Sequence, residues 1–314
     1  MPPLDPSDPR IGDLIVDASA IPARAEIVCM LMGVPQDIGV VRNNGRAGSA
    51  DAPSAIRAAL MKLASSQFLD VVEAGRMCIV DSGNIETQGK TLEQIHDEQH
   101  DAVARVLQSG HFPIVLGGGH DCAWPTIRAF ETLNREYGVI NIDAHADVRP
   151  LQNDDRAHSG SPFRQMLEQP ESRLLPGGFV EFGLQGTSVA ASHLAFVRDA
   201  GMHVVMLDDT RKENIVFVWD RALAHAARSQ HVYLSLDMDA FASAYAPGVS
   251  APAADGFTPH EVASCLQSAA SSGSLAAFDI VEMNPRFDLD GRTAKLAATM
   301  IGEVLAGLAF TIRS

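Results

Sequence analysis

The sequence has few basic residues, few cysteines and no long uninterrupted apolar run. Lysine and arginine together number 24, against 39 aspartates and glutamates, which gives a formal net charge of -15. This acidic balance argues against nucleic acid and against an anionic membrane surface as partners, although it leaves the charge of a local pocket open. The four cysteines are widely spaced and form no C-x-x-C pair, as is typical of reduced thiols in a cytoplasmic protein.

We expect neither a targeting segment nor a domain linker in this sequence. Residues 1–24 are rich in proline and acidic side chains, so we expect a loose N-terminal arm rather than a signal peptide. The most apolar stretch, Leu296 to Phe310, contains Glu303 and is expected to be too short to cross a membrane. Because no Ser/Gly linker or internal repeat follows the arm, residues 25–314 are predicted to form a single catalytic domain.

Apolar strands alternate with helical segments along most of the chain. Strand-like runs cover residues 26–33, 112–116, 138–142, 179–184, 203–207, 232–236 and 275–281. Predicted helices cover residues 54–63, 92–108, 124–137, 221–229 and 293–310, and one more starts at residue 259. This alternation is typical of an α/β protein with a mainly parallel sheet and helices on both faces.

Four of the predicted strands run directly into side chains that commonly bind metals. The strand ending at Ile142 is followed by Asp143-Ala144-His145-Ala146-Asp147, whose alternate residues share one face if the backbone is extended. The other three strand ends present His120, Asp237 with Asp239, and Glu282. Open α/β sheets place ligand sites at these carboxyl ends, and buried carboxylates are costly unless paired or bound to metal. For each acidic residue taken singly, the alternative to metal binding is a role as a helix cap or a position in a solvated loop.

Four aspartates and two histidines are too many ligands for one ion, but they suit two ions that share carboxylates. Ligands rich in oxygen, with one histidine for each ion, favour Mn²⁺ over Zn²⁺. Two such ions, about 3.5–4 Å apart, lower the pKa of a shared water and thereby favour hydrolysis. No serine or cysteine nucleophile has a base nearby, and the Gly117-Gly118-Gly119 run lacks the Lys-Ser/Thr of a phosphate-binding loop.

The three segments 117–121, 143–147 and 235–239 resemble, in this order, the metal motifs of the ureohydrolase superfamily, which includes arginases and agmatinases. The resemblance covers nearly the whole chain after the arm. It implies a single-domain, three-layer α/β/α sandwich with two Mn²⁺ ions per subunit. The ligands that it implies are His120 and Asp147 on one ion, His145 and Asp239 on the other, and Asp143 and Asp237 as bridges. It also implies that Glu282 binds the amidine or guanidine nitrogens of the substrate.

Five shorter segments are most similar to the members of the superfamily that hydrolyse N-formimino-L-glutamate to L-glutamate and formamide. They are residues 43–48, 147–150, 159–165, 183–185 and 284–290. The expected substrate is therefore a small anionic amidine of histidine degradation. The alternatives are another guanidino substrate or agmatine, a catalytically silent paralogue, and a zinc-type deacylase on a related fold. The oligomeric state stays open, with a homo-oligomer as one alternative.

Three further positions are candidates for catalysis or substrate binding. Arginases and agmatinases carry a proton-shuttling histidine directly before a loop glycine, where this chain has Ser159, so His158 is either a displaced shuttle or a loop residue. Arg149 replaces an asparagine that contacts the substrate carboxylate in arginases, and its planar fork suits a carboxylate. The alternatives for Arg149 are that it neutralises the metal-site aspartates or lies on a solvated loop. Gln185 is a candidate for substrate binding. No carboxylate follows it where arginases receive the substrate ammonium, which fits a substrate without a free α-ammonium. Asp147 is expected to relay the proton of the nucleophilic water.

Overall fold

The computed structural model describes residues 7–313, in which strands and helices alternate. The strands are β1 (Ile15–Val16), β2 (Ile27–Gly33), β3 (Met77–Asn84), β4 (Phe112–Leu116), β5 (Tyr137–Ile142), β6 (Leu174–Leu184), β7 (His203–Met206), β8 (Val232–Asp237) and β9 (Leu275–Val281). The helices are α1 (Ile11–Leu14), α2 (Ile38–Arg42), α3 (Ala52–Leu60), α4 (Leu69–Glu73), α5 (Leu92–Gln108), α6 (Ala123–Thr132), α7 (Pro162–Leu167), α8 (Ala191–Asp199), α9 (Leu207–Lys212), α10 (Ile215–Ala226), α11 (Pro259–Ser271) and α12 (Arg292–Arg313).

These strands form one sheet in the order β1-β3-β2-β4-β9-β8-β5-β6-β7, and every neighbouring pair is parallel. The four strands that precede the candidate metal ligands, β4, β9, β8 and β5, are adjacent in the middle of the sheet. Because all strands run the same way, their carboxyl ends meet at one edge. The topology therefore brings together side chains that lie up to 162 residues apart in sequence.

Two apolar layers cover the two faces of the sheet. Successive residues of β4 alternate between them, with Ile114 and Leu116 in one layer and Val115 in the other. Helices α3, α10, α11 and α12 pack in the first layer, and α5 to α8 pack in the second. The predicted three-layer α/β/α sandwich with a parallel sheet is confirmed.

Helix α12 is longer than the apolar stretch predicted from sequence. It extends beyond both ends of Leu296–Phe310 to 22 residues, which is long and apolar enough to cross a membrane by length and composition alone. The expectation that this stretch is too short is therefore wrong. Met300, Ile301 and Leu305 are fully buried, and α12 packs against α3 and α11. Its burial in the core explains the apolar composition.

Part of the predicted N-terminal arm packs against the sheet. Ile11 is fully buried, and β1 pairs with β3 through Ile15 and Ile79. A loose conformation therefore does not apply to residues 11–16. Residues 1–6 of the arm lie outside the described residues, and the domain boundary after residue 24 stays a prediction.

Among the predicted helices, two differ most from their limits in the structure. The helix expected to reach Tyr137 ends at Thr132, because Asn134 adopts a left-handed conformation with φ 53° and β5 then starts at Tyr137. Helix α10 begins at Ile215, six residues before the predicted start, where the side chain of Asn214 accepts a hydrogen bond from the N–H of Val216. Neither difference moves a candidate metal ligand.

Candidate metal centre

The predicted metal ligands form two adjoining groups at the carboxyl ends of the central strands. In the first group, Nδ1 of His120 lies 3.2 Å from Asp143, 3.0 Å from Asp147 and 3.1 Å from Asp237. In the second group, Nδ1 of His145 lies 3.2 Å from Asp239 and 3.6 Å from Asp143. Within each group, the candidate ligand atoms all lie within 4.8 Å of one another.

Asp143 belongs to both groups and turns one carboxylate oxygen towards each. Its Oδ2 faces His120, whereas its Oδ1 faces His145. This is the arrangement expected of a bridging carboxylate. Asp237, the second predicted bridge, is placed only in the first group, and its Oδ1 accepts the backbone N–H of Asp239 at 2.7 Å. A bridging role for Asp237 stays a prediction.

The local backbone explains how the sequence aims these side chains. Asp143 accepts the backbone N–H of His145 at 2.7 Å, and the chain bends directly after β5. Asp147 and Glu282 both have left-handed backbone conformations, with φ 43° and φ 62°. Non-glycine residues adopt this region rarely and at a cost, and such strain concentrates at functional sites. Both residues are carboxylates that the sequence predicts to be functional.

The residues present fit a pair of divalent cations. His120 Nδ1 and Asp239 Oδ1 are buried and make no hydrogen bond of good geometry, although charged groups surround them. Burial raises the pKa of Asp239 to about 6, and burial together with the charges of Asp239 and Asp143 raises the pKa of Asp237. Buried carboxylates held this close together need cations to offset their charge. The set is rich in oxygen, with one histidine in each group, which favours Mn²⁺.

Glu282 lies beside the first group and is 6% exposed. Its Oε1 accepts the backbone N–H of His120 at 3.0 Å, and its own N–H donates to the carbonyl of Gly118 at 2.8 Å. Burial raises the pKa of Glu282 to about 8. A cationic amidine placed against this carboxylate would stabilise its charged form. The position agrees with the substrate-binding role predicted for Glu282, which stays a prediction.

His158 is buried, and both of its ring nitrogens contact the backbone of its own loop. Nε2 lies 3.0 Å from the carbonyl of Pro150, and Nδ1 accepts the N–H of Gly160 at 3.1 Å. These contacts leave no ring nitrogen free to carry protons and favour the loop role over the shuttle.

We expect His158→Ala to lower the free energy of unfolding by about 1–3 kcal/mol, because the N–H of Gly160 loses its buried partner. Urea unfolding measures this loss. Added imidazole, which can replace a missing shuttle, should not restore turnover to the variant. Recovery of most of the activity with imidazole would show that His158 moves protons.

Arg149 and Gln185 occupy different surroundings. Arg149 is exposed, its backbone N–H donates to the carbonyl of Gly160 at 2.8 Å, and its guanidinium donates to the side chain of Asn43 at 3.2 Å. The side-chain amide of Gln185 is largely buried and donates to the carbonyl of Asp255 at 3.0 Å. Arg149 is thus available to a substrate, whereas Gln185 is anchored to a neighbouring loop. Both substrate-binding roles stay predictions.

Sequence reasoning missed the polar residues that lie inside the strands behind the ligands. Asn141 in β5 donates to Asp143 at 3.3 Å and to Glu181 in β6 at 2.9 Å, and all three residues are fully buried. In β8 and β9, Ser235 and Asp279 occupy similar positions behind His120. A polar residue inside an otherwise apolar strand, two to four positions before a ligand, is the signal that could have found them.

A parallel α/β/α sandwich with two carboxylate–imidazole groups that share one aspartate is an arrangement suited to metal-dependent hydrolases. Comparison with known proteins narrows the class. The model of the arginase family matches residues 28–307, so the chain belongs to the arginase family.

Relatives and solved structures agree with this assignment. The formimidoylglutamase of Rhodococcus jostii strain RHA1 is 37% identical over 289 residues, which cover 88% of this chain and 85% of that protein. A formiminoglutamase of Trypanosoma cruzi, solved with Mn²⁺, superposes with a TM-score of 0.87 at 35% identity and covers 96% of this chain and 99% of its own. Proclavaminate amidino hydrolase from Streptomyces clavuligerus superposes with a TM-score of 0.81 at 26% identity, and the match covers 96% of this chain and 97% of that chain.

Proposed function

We propose that this chain hydrolyses N-formimino-L-glutamate to L-glutamate and formamide, using two Mn²⁺ ions per subunit. The observation that carries the proposal is the pair of ligand groups joined by Asp143, at the same edge as Glu282. The choice of substrate is supported by curated relatives named formimidoylglutamase at 32–37% identity. Manganese is supported by the Mn²⁺ in the formiminoglutamase of Trypanosoma cruzi and by the oxygen-rich ligands found here.

His120, Asp143, Asp147 and Asp237 are proposed to hold one ion, and Asp143, His145 and Asp239 the other. When bound, the ions supply Lewis acidity that makes a water nucleophilic near neutral pH. The water oxygen adds to the formimino carbon, and the bond from that carbon to the glutamate nitrogen breaks. Asp147 receives the proton of the water and passes it to the departing nitrogen, so that the products are formamide and the free amine. Glu282 holds the NH groups of the amidine and stabilises the positive charge that they carry.

We further propose the partners and the compartment of the protein. A small anionic amidine is the proposed substrate, neither nucleic acid nor membrane is a proposed partner, and a homo-oligomer is one proposed assembly. The four cysteines are free and buried, which suits the proposed cytoplasmic location.

Arg149→Ala tests the choice of an anionic substrate. We expect the variant to lose at least tenfold in kcat/KM for formiminoglutamate, about 1.4 kcal/mol, while its Mn²⁺ content stays at the wild-type level. The loss should be mainly in KM, because the guanidinium is expected to hold a carboxylate remote from the reacting carbon. Steady-state kinetics and metal analysis measure both quantities.

Arg198→Ala is the matched control, because Arg198 is exposed on α8. This control should keep wild-type kinetics. If Arg149→Ala also kept them, the role of Arg149 in substrate recognition would be wrong.

A further inference from the structure

The imidazole of His120 is held from both sides. Its Nδ1 faces the carboxylates of the first ligand group at 3.0–3.2 Å, whereas its Nε2 lies 3.0 Å from the hydroxyl of Ser235 on β8. A histidine that binds a metal through Nδ1 carries its proton on Nε2. The direction of the second contact is therefore fixed, with Nε2–H donating and the Ser235 hydroxyl accepting.

The Ser235 hydroxyl is in turn hydrogen-bonded to Asp279 of β9. It donates to Oδ1 of Asp279 at 2.6 Å, and the register of the sheet places the two residues directly opposite each other. The hydroxyl of Tyr233 donates to Oδ2 of the same carboxylate. Asp279 thus accepts two hydroxyl donors, and the hydrogen bonds run in one direction from the imidazole to a buried carboxylate.

Asp279 occupies a position where the fold alone calls for an apolar side chain. It is fully buried, and its neighbours in β9, Phe278 and Ile280, belong to the apolar core. Placing a carboxylate there is costly even when it is hydrogen-bonded. The same strand leads to Glu282, which accepts the backbone N–H of His120. Strand β9 therefore fixes His120 at two points, the ring through Ser235 and the backbone directly.

We propose that Asp279, acting through Ser235, is a positioning residue that keeps the imidazole of His120 in the Nε2–H form, with Nδ1 directed at the first metal ion. Metal-binding histidines commonly donate their other nitrogen to a carboxylate, and here one hydroxyl is inserted between the two. The inference rests on the metal centre of the proposed function, but it does not depend on which substrate is hydrolysed.

Titration of metal-free protein with Mn²⁺ alone tests the inference, with free Mn²⁺ followed by electron paramagnetic resonance. We expect Ser235→Ala to weaken one of the two Mn²⁺ sites by about 10- to 100-fold and to leave the other within about threefold. Asp279→Asn should weaken the same single site, whereas Ser235→Thr, which keeps a hydroxyl, should retain most of the affinity. Ser235→Cys, a weak donor of similar size, replaces Ser235→Ala should that variant not fold.

Ser229→Ala is the matched control, since Ser229 has a largely buried hydroxyl that donates to the carbonyl of Ala226, before the amino end of β8. This control should bind two ions normally. If Ser235→Ala bound both ions as tightly as wild type, or lost both sites equally, the positioning role would be wrong. A wild-type protein that binds two ions but does not hydrolyse formiminoglutamate would refute the proposed substrate alone.

Discussion

Replacing Asp237 with alanine should lower turnover by more than about 100-fold. Loss of a group that only hydrogen-bonds to a metal ligand costs up to about 100-fold, and Asp237 is itself a proposed ligand. Asp237 is 2% exposed and lies 3.1 Å from Nδ1 of His120, so its carboxylate belongs to the buried first ligand group. The variant should also bind less than two Mn²⁺ per chain. Kinetics at saturating Mn²⁺ and metal analysis after gel filtration measure the two effects.

An aspartate far from the strand ends provides the control for this experiment. Asp97 is exposed on α5 and pairs with Arg128 at 2.8 Å. Surface pairs of this kind contribute little to stability, so Asp97→Ala should keep both activity and metal content. Near-normal turnover by Asp237→Ala would contradict a mechanism that uses paired ions.

Glu282→Gln should reduce kcat by about 10²- to 10³-fold while Mn²⁺ binding is preserved. The amide oxygen of glutamine can still accept the N–H of His120, so the backbone beside the metal centre keeps its hydrogen bond. What the variant loses is the negative charge that is proposed to face the amidine. Turnover at saturating substrate and Mn²⁺ stoichiometry separate these two roles.

The exposed Glu98, which pairs with Lys90 on the surface, gives the matched substitution Glu98→Gln, for which we expect wild-type values. A Glu282→Gln protein that lost activity and metal in equal proportion would show that Glu282 supports the metal centre rather than the substrate.

Much of the candidate site could be predicted because its residues follow directly after the apolar strands of a parallel sheet. Each ligand segment directly follows an apolar strand, and β4 and β9 have the limits that the apolar runs predict. Parallel strands bring their carboxyl ends to one edge, so the sequence indicates that the segments after β4, β5, β8 and β9 lie at the same edge of the sheet. The sequence could not show that these four strands are adjacent, because strand order depends on contacts between distant segments.

The parts that were missed depend on such contacts. Strand β3 was not predicted, since its apolar residues 77–80 are followed by the polar segment 81–84 and its pairing with β1 and β2 is long-range. The role of Ser235 and Asp279 is equally hidden, because it requires the register between β8 and β9. His158 was ambiguous for a different reason: only the loop backbone shows that both of its nitrogens are occupied.

The most direct test of the account is the rate and product of hydrolysis by the Mn²⁺-loaded protein. We expect equal amounts of L-glutamate and formamide from N-formimino-L-glutamate, with a kcat/KM at least tenfold above that for agmatine, arginine or a guanidino acid. A chelator should remove the activity, and Mn²⁺ should restore it. A higher kcat/KM for agmatine, or full turnover of formiminoglutamate by metal-free protein, would contradict the proposed function.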